Sequence, residues 1–163
     1  MERAIATLFG AGQLKPAPGT WASAIAILVG LGLYRLGHFP LLAVATVLVT
    51  LLGFWAVRRA TSDLTEKDPS EIVIDEVAGQ WLALCFPAFG FWLMGLPADR
   101  FPYPGWLGAF IFFRLFDIWK PWLVGRADRR GDADGVMLDD LWAGLFAGFA
   151  TMIAAGVAHG LFM

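Results

Sequence analysis

Two pairs of adjacent carboxylates stand out because each pair lies at the start of a long apolar segment. Asp75-Glu76 precedes one such segment and Asp139-Asp140 precedes another. One acid pair at a helix start is commonly explained by capping and by the helix macrodipole. Capping explains two such pairs less well when both are predicted at the same depth in the membrane. Carboxylates that cluster there repel one another unless a hard divalent cation neutralises them. The pairs therefore predict a Mg²⁺ site.

A third set of charges lies inside an apolar segment. Arg114, Asp117 and Lys120 are spaced so that a helix would place them within an arc of about 120°. Ionisable side chains within a membrane span are costly unless they are paired or hydrated, so they are candidates for function. Arg114 and Lys120 can donate charge-assisted hydrogen bonds to phosphate oxygens. This set indicates phosphate binding, with Asp117 as a further metal ligand or a general base.

A tight turn at residues 17–23 precedes the first long apolar segment. Thr20 is predicted to be the N-cap of the helix that follows. The first amides of a helix have no partner within it, so this helix start can hold an anion. Thr20 is therefore a candidate substrate-binding residue.

The composition indicates a membrane protein with a single domain over residues 1–163. The chain is 58% hydrophobic and 16% charged, and its 8 Trp and 14 Phe suit membrane interfaces. Its mean hydropathy is +0.65. A net charge of −2 gives no indication of nucleic-acid binding. The only cysteine, Cys85, excludes an internal disulfide framework and a multi-cysteine zinc site.

Five apolar segments approach or exceed the length of about 20 residues that a helix needs to cross a bilayer. They are residues 21–36, 40–57, 72–96, 104–124 and 138–162, and residues 2–9 are predicted to form a short interfacial helix in front of them. The predicted fold is therefore an all-α polytopic bundle, with five transmembrane spans. Four spans are the alternative, if the short first segment does not cross.

The charges in the loops predict the orientation of these spans. With five spans, one side of the membrane receives Arg3, Lys15, Arg58, Arg59, Lys67, Arg126, Arg129 and Arg130, and the other receives Arg35 and Arg100. By the positive-inside rule the first side is cytoplasmic. Both acid pairs map to this side, and Asp117 lies near the same end of the fourth span.

Three blocks of sequence combine these residues with glycines and prolines in a recognisable order. They are Gly10-x-Gly12 through Ala17-Pro-Gly-Thr20 with Ser23; Asp68-Pro-Ser-Glu-Ile-Val-Ile-Asp75-Glu76-x-x-Gly79; and Phe113-Arg114-x-Phe-Asp117-x-x-Lys120-Pro121, continuing to Gly135-Val-Met-x-Asp139-Asp140-x-x-Ala143-Gly144. Together they resemble the phosphatidylglycerophosphatase A family of bacterial membrane enzymes. One departure is Asp132-Ala-Asp134, where a more glycine-rich loop is expected.

The resemblance implies a multi-pass protein of the bacterial inner membrane. Its expected activity is the Mg²⁺-dependent removal of the terminal phosphate from phosphatidylglycerophosphate, which gives phosphatidylglycerol. Ser23 belongs to the first block and is assigned, with Thr20, to substrate binding. The expected partners are the phospholipid substrate and the bilayer.

Among phosphatase chemistries, carboxylates with a metal ion fit these residues best. Cys85 has no arginine close behind it, as a cysteine phosphatase requires, and His38 and His159 map to the side opposite the acids. The expected metal ligands are Asp75, Glu76, Asp139 and Asp140, with Arg114 and Lys120 stabilising the transferring phosphoryl group. The nucleophile is either water or an aspartate.

Alternative functions from other classes stay open at this point. One is a different Mg²⁺-dependent lipid phosphatase or phosphotransferase, acting on phosphatidic acid or on a nucleotide-activated lipid. Another is a cation transporter, although such a path usually places charges near mid-membrane. A structural membrane protein with a solvated charged face is the third, and it leaves Arg114, Asp117 and Lys120 unexplained.

Overall fold

In a computed structural model, the protein is described over residues 6–7, 16–62 and 72–162. Five helices cover most of these ranges, and no strand occurs within them. The helices are α1 (Pro18–Ala60), α2 (Ile74–Leu93), α3 (Tyr103–Trp119), α4 (Trp122–Asp128) and α5 (Ala133–Phe162). The all-helical fold predicted from the sequence is confirmed.

Helix α1 is interrupted at Gly37 and His38, where the backbone leaves helical geometry (φ −147°, ψ 19° and φ 58°, ψ −159°). The His38 ring stabilises this break, because its Nε2 lies 2.7 Å from the carbonyl oxygen of Leu96 and 3.2 Å from the hydroxyl of Tyr34. Leu96 belongs to the connection between α2 and α3. The break therefore lies at the end of the bundle where α2 finishes.

Contacts with α2 show that the chain reverses direction at this break. Moving along α1, the residue pairs in contact are Gly19 with Glu76, Ala26 with Trp81, Thr46 with Cys85, and Gly53 with Ile74. The first half of α1 thus runs parallel to α2, and the second half runs back along it. Residues 18–36 and 39–60 form a helical hairpin, in agreement with two separate predicted segments.

Two helices are long and apolar enough to cross a membrane by length and composition, namely α1 and residues Ala133–Gly160 of α5. Much of α1 presents large apolar side chains to the outside, including Leu28 (71% exposed), Leu36 (83%) and Leu51 (63%). These features indicate a membrane protein. The count of five spans stays a prediction.

Two predicted helix starts are wrong. Helix α1 begins at Pro18 with Ala17 as its N-cap, so Thr20 lies in the first turn and is not the N-cap. Proline is favoured at the first helical position because it has no amide hydrogen to leave unbonded. Helix α5 begins at Ala133 instead of 138, so Asp139 and Asp140 lie inside the helix, and capping does not explain that pair.

The predicted fourth span ends earlier than expected. Helix α3 stops at Trp119, and Lys120 adopts a left-handed conformation (φ 51°, ψ 53°) instead of continuing the helix to 124. Pro121 explains this, because the residue before a proline is disfavoured in the right-handed helical region. Lys120 is therefore not on the same helical stripe as Arg114 and Asp117, contrary to the prediction.

The interfacial helix predicted at residues 2–9 lies outside the described residues, except for Ala6 and Thr7. Ala6 is buried, and its carbonyl oxygen accepts a hydrogen bond from the amide of Val73 at 3.0 Å. The N-terminal segment thus touches the residue that caps α2. Residues 63–71, with the first part of the second sequence block, also lie outside the described ranges.

Candidate active site

One end of the bundle contains a cavity of about 250 Å³ with mostly charged walls. Its lining comes from the starts of α1 and α2, the end of α3 and the early turns of α5: Ala17, Pro18, Gly19, Thr20, Ile72, Asp75, Glu76, Arg114, Asp117, Lys120, Val136, Asp139 and Asp140. Every acid and base that the sequence assigned to the site is among them, and so is Thr20. Residues far apart in the chain therefore meet in one place.

A glycine contact between α2 and α5 brings the two acid pairs together. A Cβ on Gly79 would lie 2.5 Å from the carbonyl oxygen of Asp140, and one on Gly144 would overlap the carbonyl oxygen of Gly79. The two backbones therefore approach as closely as glycine allows. Gly79 lies one helical turn after Asp75, and Gly144 lies one turn after Asp140, so this contact sets the distance between the pairs.

Asp75, Glu76 and Asp140 form a three-carboxylate cluster, in which one oxygen from each lies within 4.8 Å of the others. Asp75 is only 7% exposed and Asp140 only 3%. The Oε2 atom of Glu76 is buried and has no hydrogen-bond partner among the described residues. Two buried carboxylates and a partly buried one at this spacing are unfavourable unless something positive lies among them. Their oxygens are the donors that Mg²⁺ prefers, so the cluster fits a magnesium ion.

The start of α1 forms one wall of the cavity beside this cluster. Gly19 packs directly on the side chains of Glu76 and Arg114. A Cβ at this position would overlap Oε1 of Glu76 and lie 3.3 Å from Nη1 of Arg114. Only glycine lets the backbone approach so closely. The amides of Gly19 and Thr20 lie in the first turn, where they have no acceptor within the helix, and they line the cavity. This wall suits an anion.

Arg114 and Asp117 form an ion pair on the α3 side of the cavity. Nη1 of Arg114 lies 2.6 Å from Oδ2 of Asp117, and both side chains are 16% exposed. Apart from this ion pair, Nε and Nη1 of Arg114 have no hydrogen-bond acceptor among the described residues. These two atoms can therefore donate to a phosphate oxygen without breaking an existing bond.

Asp139 differs from the other predicted metal ligands because it is bound to a lysine. Its Oδ2 lies 3.0 Å from Nζ of Lys120, which also makes a very short contact with Oδ1 of Asp128. Lys120 thus lies between two carboxylates. Asp139 lines the cavity but is not part of the three-carboxylate cluster.

Asp128 is a site-associated residue that the sequence reasoning missed. The sequence prediction continues the fourth span to residue 124, which places Asp128 in the loop that follows. The proline at 121 ends α3 and starts α4, whose last residue is Asp128. Pro121 was the available signal, because it predicts that the chain turns after Lys120.

Ser23 was assigned to substrate binding, but it is not one of the residues that line the cavity. Its side chain is buried, and its hydroxyl donates a hydrogen bond to the carbonyl oxygen of Gly19 at 2.8 Å. It therefore stabilises the first turn of α1 without lining the cavity.

Gln80, one turn after Glu76, is also fully buried, and neither polar atom of its side chain has a partner among the described residues.

Asp132 and Asp134, which depart from the family pattern, lie outside the cavity lining. Asp132 bonds to Arg130 at 2.9 Å and accepts the amide of Gly135 at 2.7 Å, at the start of α5. The pKa of Asp132 is held below its usual value, mainly by the bond from Arg130 and next by the bond from the Gly135 amide. Asp134 pairs with Arg58 on the surface. Both acids therefore stabilise the start of α5.

The cavity combines the elements that phosphoryl transfer requires. A compact set of carboxylate oxygens suits a hard cation, and two bases and a helix start suit a phosphate group. The burial of Asp75, Asp139 and Asp140 strengthens the electrostatic interactions within the cavity. The arrangement is therefore suited to cleaving a phosphate ester.

Comparison with known proteins places these features in a family context. The model of a family described as "Phosphatidylglycerophosphatase A" matches residues 4–155. A Haemophilus influenzae protein named "Phosphatidylglycerophosphatase A" is 32% identical over 146 residues, which is 88% of this chain and 82% of the relative. An Escherichia coli protein of the same name is 31% identical over 159 residues, covering 95% of this chain and 80% of that relative.

One further relative has a different name. A Bacteroides thetaiotaomicron protein named "Putative phosphatidylinositol-3-phosphatase" is 34% identical over 157 residues, covering 94% of this chain and 92% of the relative. No solved structure matches the chain.

Proposed function

The chain belongs to the phosphatidylglycerophosphatase A family, and on that premise we propose that it hydrolyses phosphatidylglycerophosphate to phosphatidylglycerol and phosphate. The observation that carries this proposal is the cavity in which Asp75, Glu76 and Asp140 meet Arg114 and Lys120. Such a cavity can bind a phosphate monoester together with a cation.

Mg²⁺ is the proposed cofactor. Asp75, Glu76 and Asp140 would hold it, and Asp139 and Asp117 are the nearest additional carboxylates in the cavity. When bound, the ion would polarise phosphoryl oxygens and offset the charge of the acids. Oε2 of Glu76 supports this assignment, because it is buried without a hydrogen-bond partner in the described part of the chain, and such a carboxylate oxygen is unfavourable.

The protein's own residues then bind and orient the phosphate. Arg114 donates to a phosphate oxygen through Nε or Nη1, and the amides at the start of α1 contribute further donors. A water oxygen forms a bond to phosphorus while the bond to the glycerol oxygen breaks. Asp117 accepts one proton from this water, and the leaving glycerol oxygen takes up a proton from a solvent water to become the hydroxyl of the product.

Lys120 has a different role from the one that its position in the sequence suggested. Its ammonium group is already bound by Asp139 and Asp128, so it holds these carboxylates in place and adds positive charge to the cavity wall. Its contribution to the transition state is then mainly long-range attraction for the phosphoryl group.

The membrane arrangement that we propose has five spans. They are the two halves of α1 (residues 18–36 and 39–60), α2, α3 and α5, with α4 lying at the membrane surface. The reversal at Gly37 and His38 supports two spans within α1. The basic loop residues Arg126, Arg129 and Arg130 lie at the cavity end, which favours a cytoplasmic active site.

A second candidate substrate is a phosphatidylinositol phosphate, and the name of the Bacteroides thetaiotaomicron relative motivates it. Both lipids carry a phosphate monoester on a glycerophospholipid headgroup, and the described cavity accounts for that shared group. Assaying both lipids in the same vesicles separates the candidates. We expect faster phosphate release from phosphatidylglycerophosphate, and a clear preference for the inositol lipid would reverse the assignment.

The main experiment combines the purified protein, Mg²⁺ and vesicles containing phosphatidylglycerophosphate, without any nucleotide. We expect release of free phosphate that is abolished by a chelator and restored by Mg²⁺. Asp75→Asn and Asp139→Asn should both lose most of this activity. Near-normal rates in both variants would overturn the carboxylate assignment, and a requirement for a nucleotide would indicate a phosphotransferase instead.

A further inference from the structure

Two tryptophans flank the Lys120–Pro121 turn and are turned outward. Trp119, the last residue of α3, is 66% exposed, and Trp122, the first residue of α4, is 77% exposed. The other exposed tryptophans range from 42% to 49%. Lys120, between them in sequence, lines the cavity. The same short turn therefore faces both the cavity and the outside of the bundle.

The backbone of this turn is held in an uncommon conformation. Lys120 (φ 51°) and Trp122 (φ 42°) both adopt positive φ, which is unfavourable for residues with a side chain. Such strain persists only where the surroundings enforce it, and it is concentrated at functional sites. Here the Lys120 amide bonds to the Phe116 carbonyl at 2.8 Å, and Gly125 packs directly on the Lys120 carbonyl.

An aromatic wall continues from Trp122 along α5, and its other rings are partly buried against the core of the bundle. The Trp122 ring lies edge-on to Phe146 of α5, with centroids 6.2 Å apart. Phe146 is also in contact with Phe116 of α3 at 6.0 Å and with Trp142 at 6.1 Å. The wall is therefore built from α3, α4 and α5, and it adjoins Asp117 of α3, Lys120 of the turn and Asp139 of α5 in the cavity.

We propose that Trp119 and Trp122 form an interfacial platform that holds the glycerol and upper acyl region of a bilayer-embedded lipid substrate while its phosphate occupies the cavity. This inference rests on the proposed function, and it defines the substrate as a diacyl lipid within a membrane, not a soluble phosphate ester. Indole rings favour the zone between headgroups and acyl chains, where one edge meets water and the other meets hydrocarbon.

Continuity with the cavity supports this occupant over a protein partner. The platform begins at the residues next to Lys120, so a lipid phosphate in the cavity leaves its glycerol beside the indoles. Ile118 (71% exposed) and Leu123 (36% exposed) extend the apolar surface on either side. A basic residue behind an apolar aromatic surface matches the order of groups in an anionic phospholipid.

The platform predicts an effect that depends on the physical state of the substrate. In Trp119→Ala/Trp122→Ala, we expect KM for long-chain phosphatidylglycerophosphate in vesicles to rise about 10-fold, with kcat changed less than about twofold. A short-chain analogue, assayed as a monomer below its critical micelle concentration, should be hydrolysed at the rate of the unmodified protein, since it does not need the platform. Trp119→Phe/Trp122→Phe should retain most of the vesicle activity.

Trp92→Ala is the matched control, since Trp92 is an exposed tryptophan (44%) at the opposite end of α2 from the acid cluster. It should leave both assays unchanged. An equal loss on vesicles and on the monomeric analogue, or no loss in either assay, would overturn the platform. If the unmodified protein released no phosphate from either form of the lipid, the proposed function itself would be wrong, and this result is distinct from a selective failure of the tryptophan variants.

Discussion

The two ends of the helix bundle are built in opposite ways. At the cavity end, Asp75 and Asp140 are buried against like charges, and Oε2 of Glu76 has no partner among the described residues. At the other end, Tyr34 is fully buried, its ring lies 4.7 Å from that of Phe101, and its hydroxyl lies 3.2 Å from the His38 ring. The bundle therefore has one end whose polar side chains are bonded within the protein, and another end whose buried carboxylates are not all bonded within it.

This difference indicates which end serves stability and which serves function. Natural proteins depart from good internal pairing mainly where a ligand or a reaction requires it. We therefore expect substitutions of the charged side chains at the cavity end to remove activity with little loss of stability, and substitutions at the Tyr34 end to do the reverse.

The largest expected effect is that of Asp140→Asn. It removes one carboxylate of the three-carboxylate cluster, and we expect phosphate release to fall by more than about 100-fold. The melting temperature should be unchanged or higher, because one of three mutually repelling buried charges is lost. Asp132→Asn is the control, since Asp132 is a half-exposed acid paired with Arg130, and its activity should stay within about twofold of normal. A large drop in melting temperature for Asp140→Asn would assign the cluster a structural role.

The next effect tests the contact that positions the acids. In Gly144→Ala the new methyl group would overlap the Gly79 carbonyl, so α2 and α5 must separate. We expect stability to fall by about 1–3 kcal/mol, and activity to fall with it. Gly156→Ala, later in the same helix, has open space around it and should change neither. Thermal unfolding in one detergent, together with the vesicle assay, compares the two variants, and similar behaviour of both would contradict this role for Gly144.

A smaller effect is expected from Asp128→Asn, because this residue acts through Lys120. This substitution removes one of the two carboxylates that contact Nζ of Lys120, so the positions of Lys120 and Asp139 should become less well defined. We expect activity to fall about 10-fold. The surface variant Asp134→Asn, which removes a comparable ion pair with Arg58, should leave activity within about twofold. Equal effects of the two substitutions would remove Asp128 from the site.

The smallest effect on activity is predicted for Tyr34→Phe. The hydroxyl lost is the one beside His38, where α1 reverses direction, so we expect a stability loss of about 1 kcal/mol. The rate of phosphate release should not change when it is measured well below the melting temperature. A selective loss of activity with normal stability would contradict the division of roles between the two ends.

The sequence predicts most of the charged side chains that line the cavity, but not how they are arranged within it. Acids and bases in an apolar chain are conspicuous, and their depth follows from the lengths of the spans. Periodicity cannot tell which helices are neighbours, so it could not separate Asp139, bound to Lys120, from the cluster of Asp75, Glu76 and Asp140.

Two Gly-x-x-x-Gly pairs in α5 show the same limit, because the spacing of Gly144 with Gly148 and of Gly156 with Gly160 predicts close helix packing for both. Gly144 and Gly148 pack closely, against Gly79 and Phe86 respectively, as expected for such spacing. Gly156 and Gly160 have the same spacing, but no atom of another described element lies within 4 Å of a Cβ built on either. Their predicted packing role is wrong within this chain, because spacing alone does not supply a neighbouring helix.

The central claim is that the three-carboxylate cluster binds the metal ion used in hydrolysis. It is tested most directly by titrating the detergent-solubilised protein with Mn²⁺, which favours the same oxygen ligands as Mg²⁺, and measuring bound ion by electron paramagnetic resonance. We predict saturable binding that Mg²⁺ displaces, that Asp140→Asn abolishes, and that Asp132→Asn leaves unchanged. Saturable binding of equal affinity in Asp140→Asn, or no binding to the unmodified protein while phosphate is still released in the presence of a chelator, would contradict the claim.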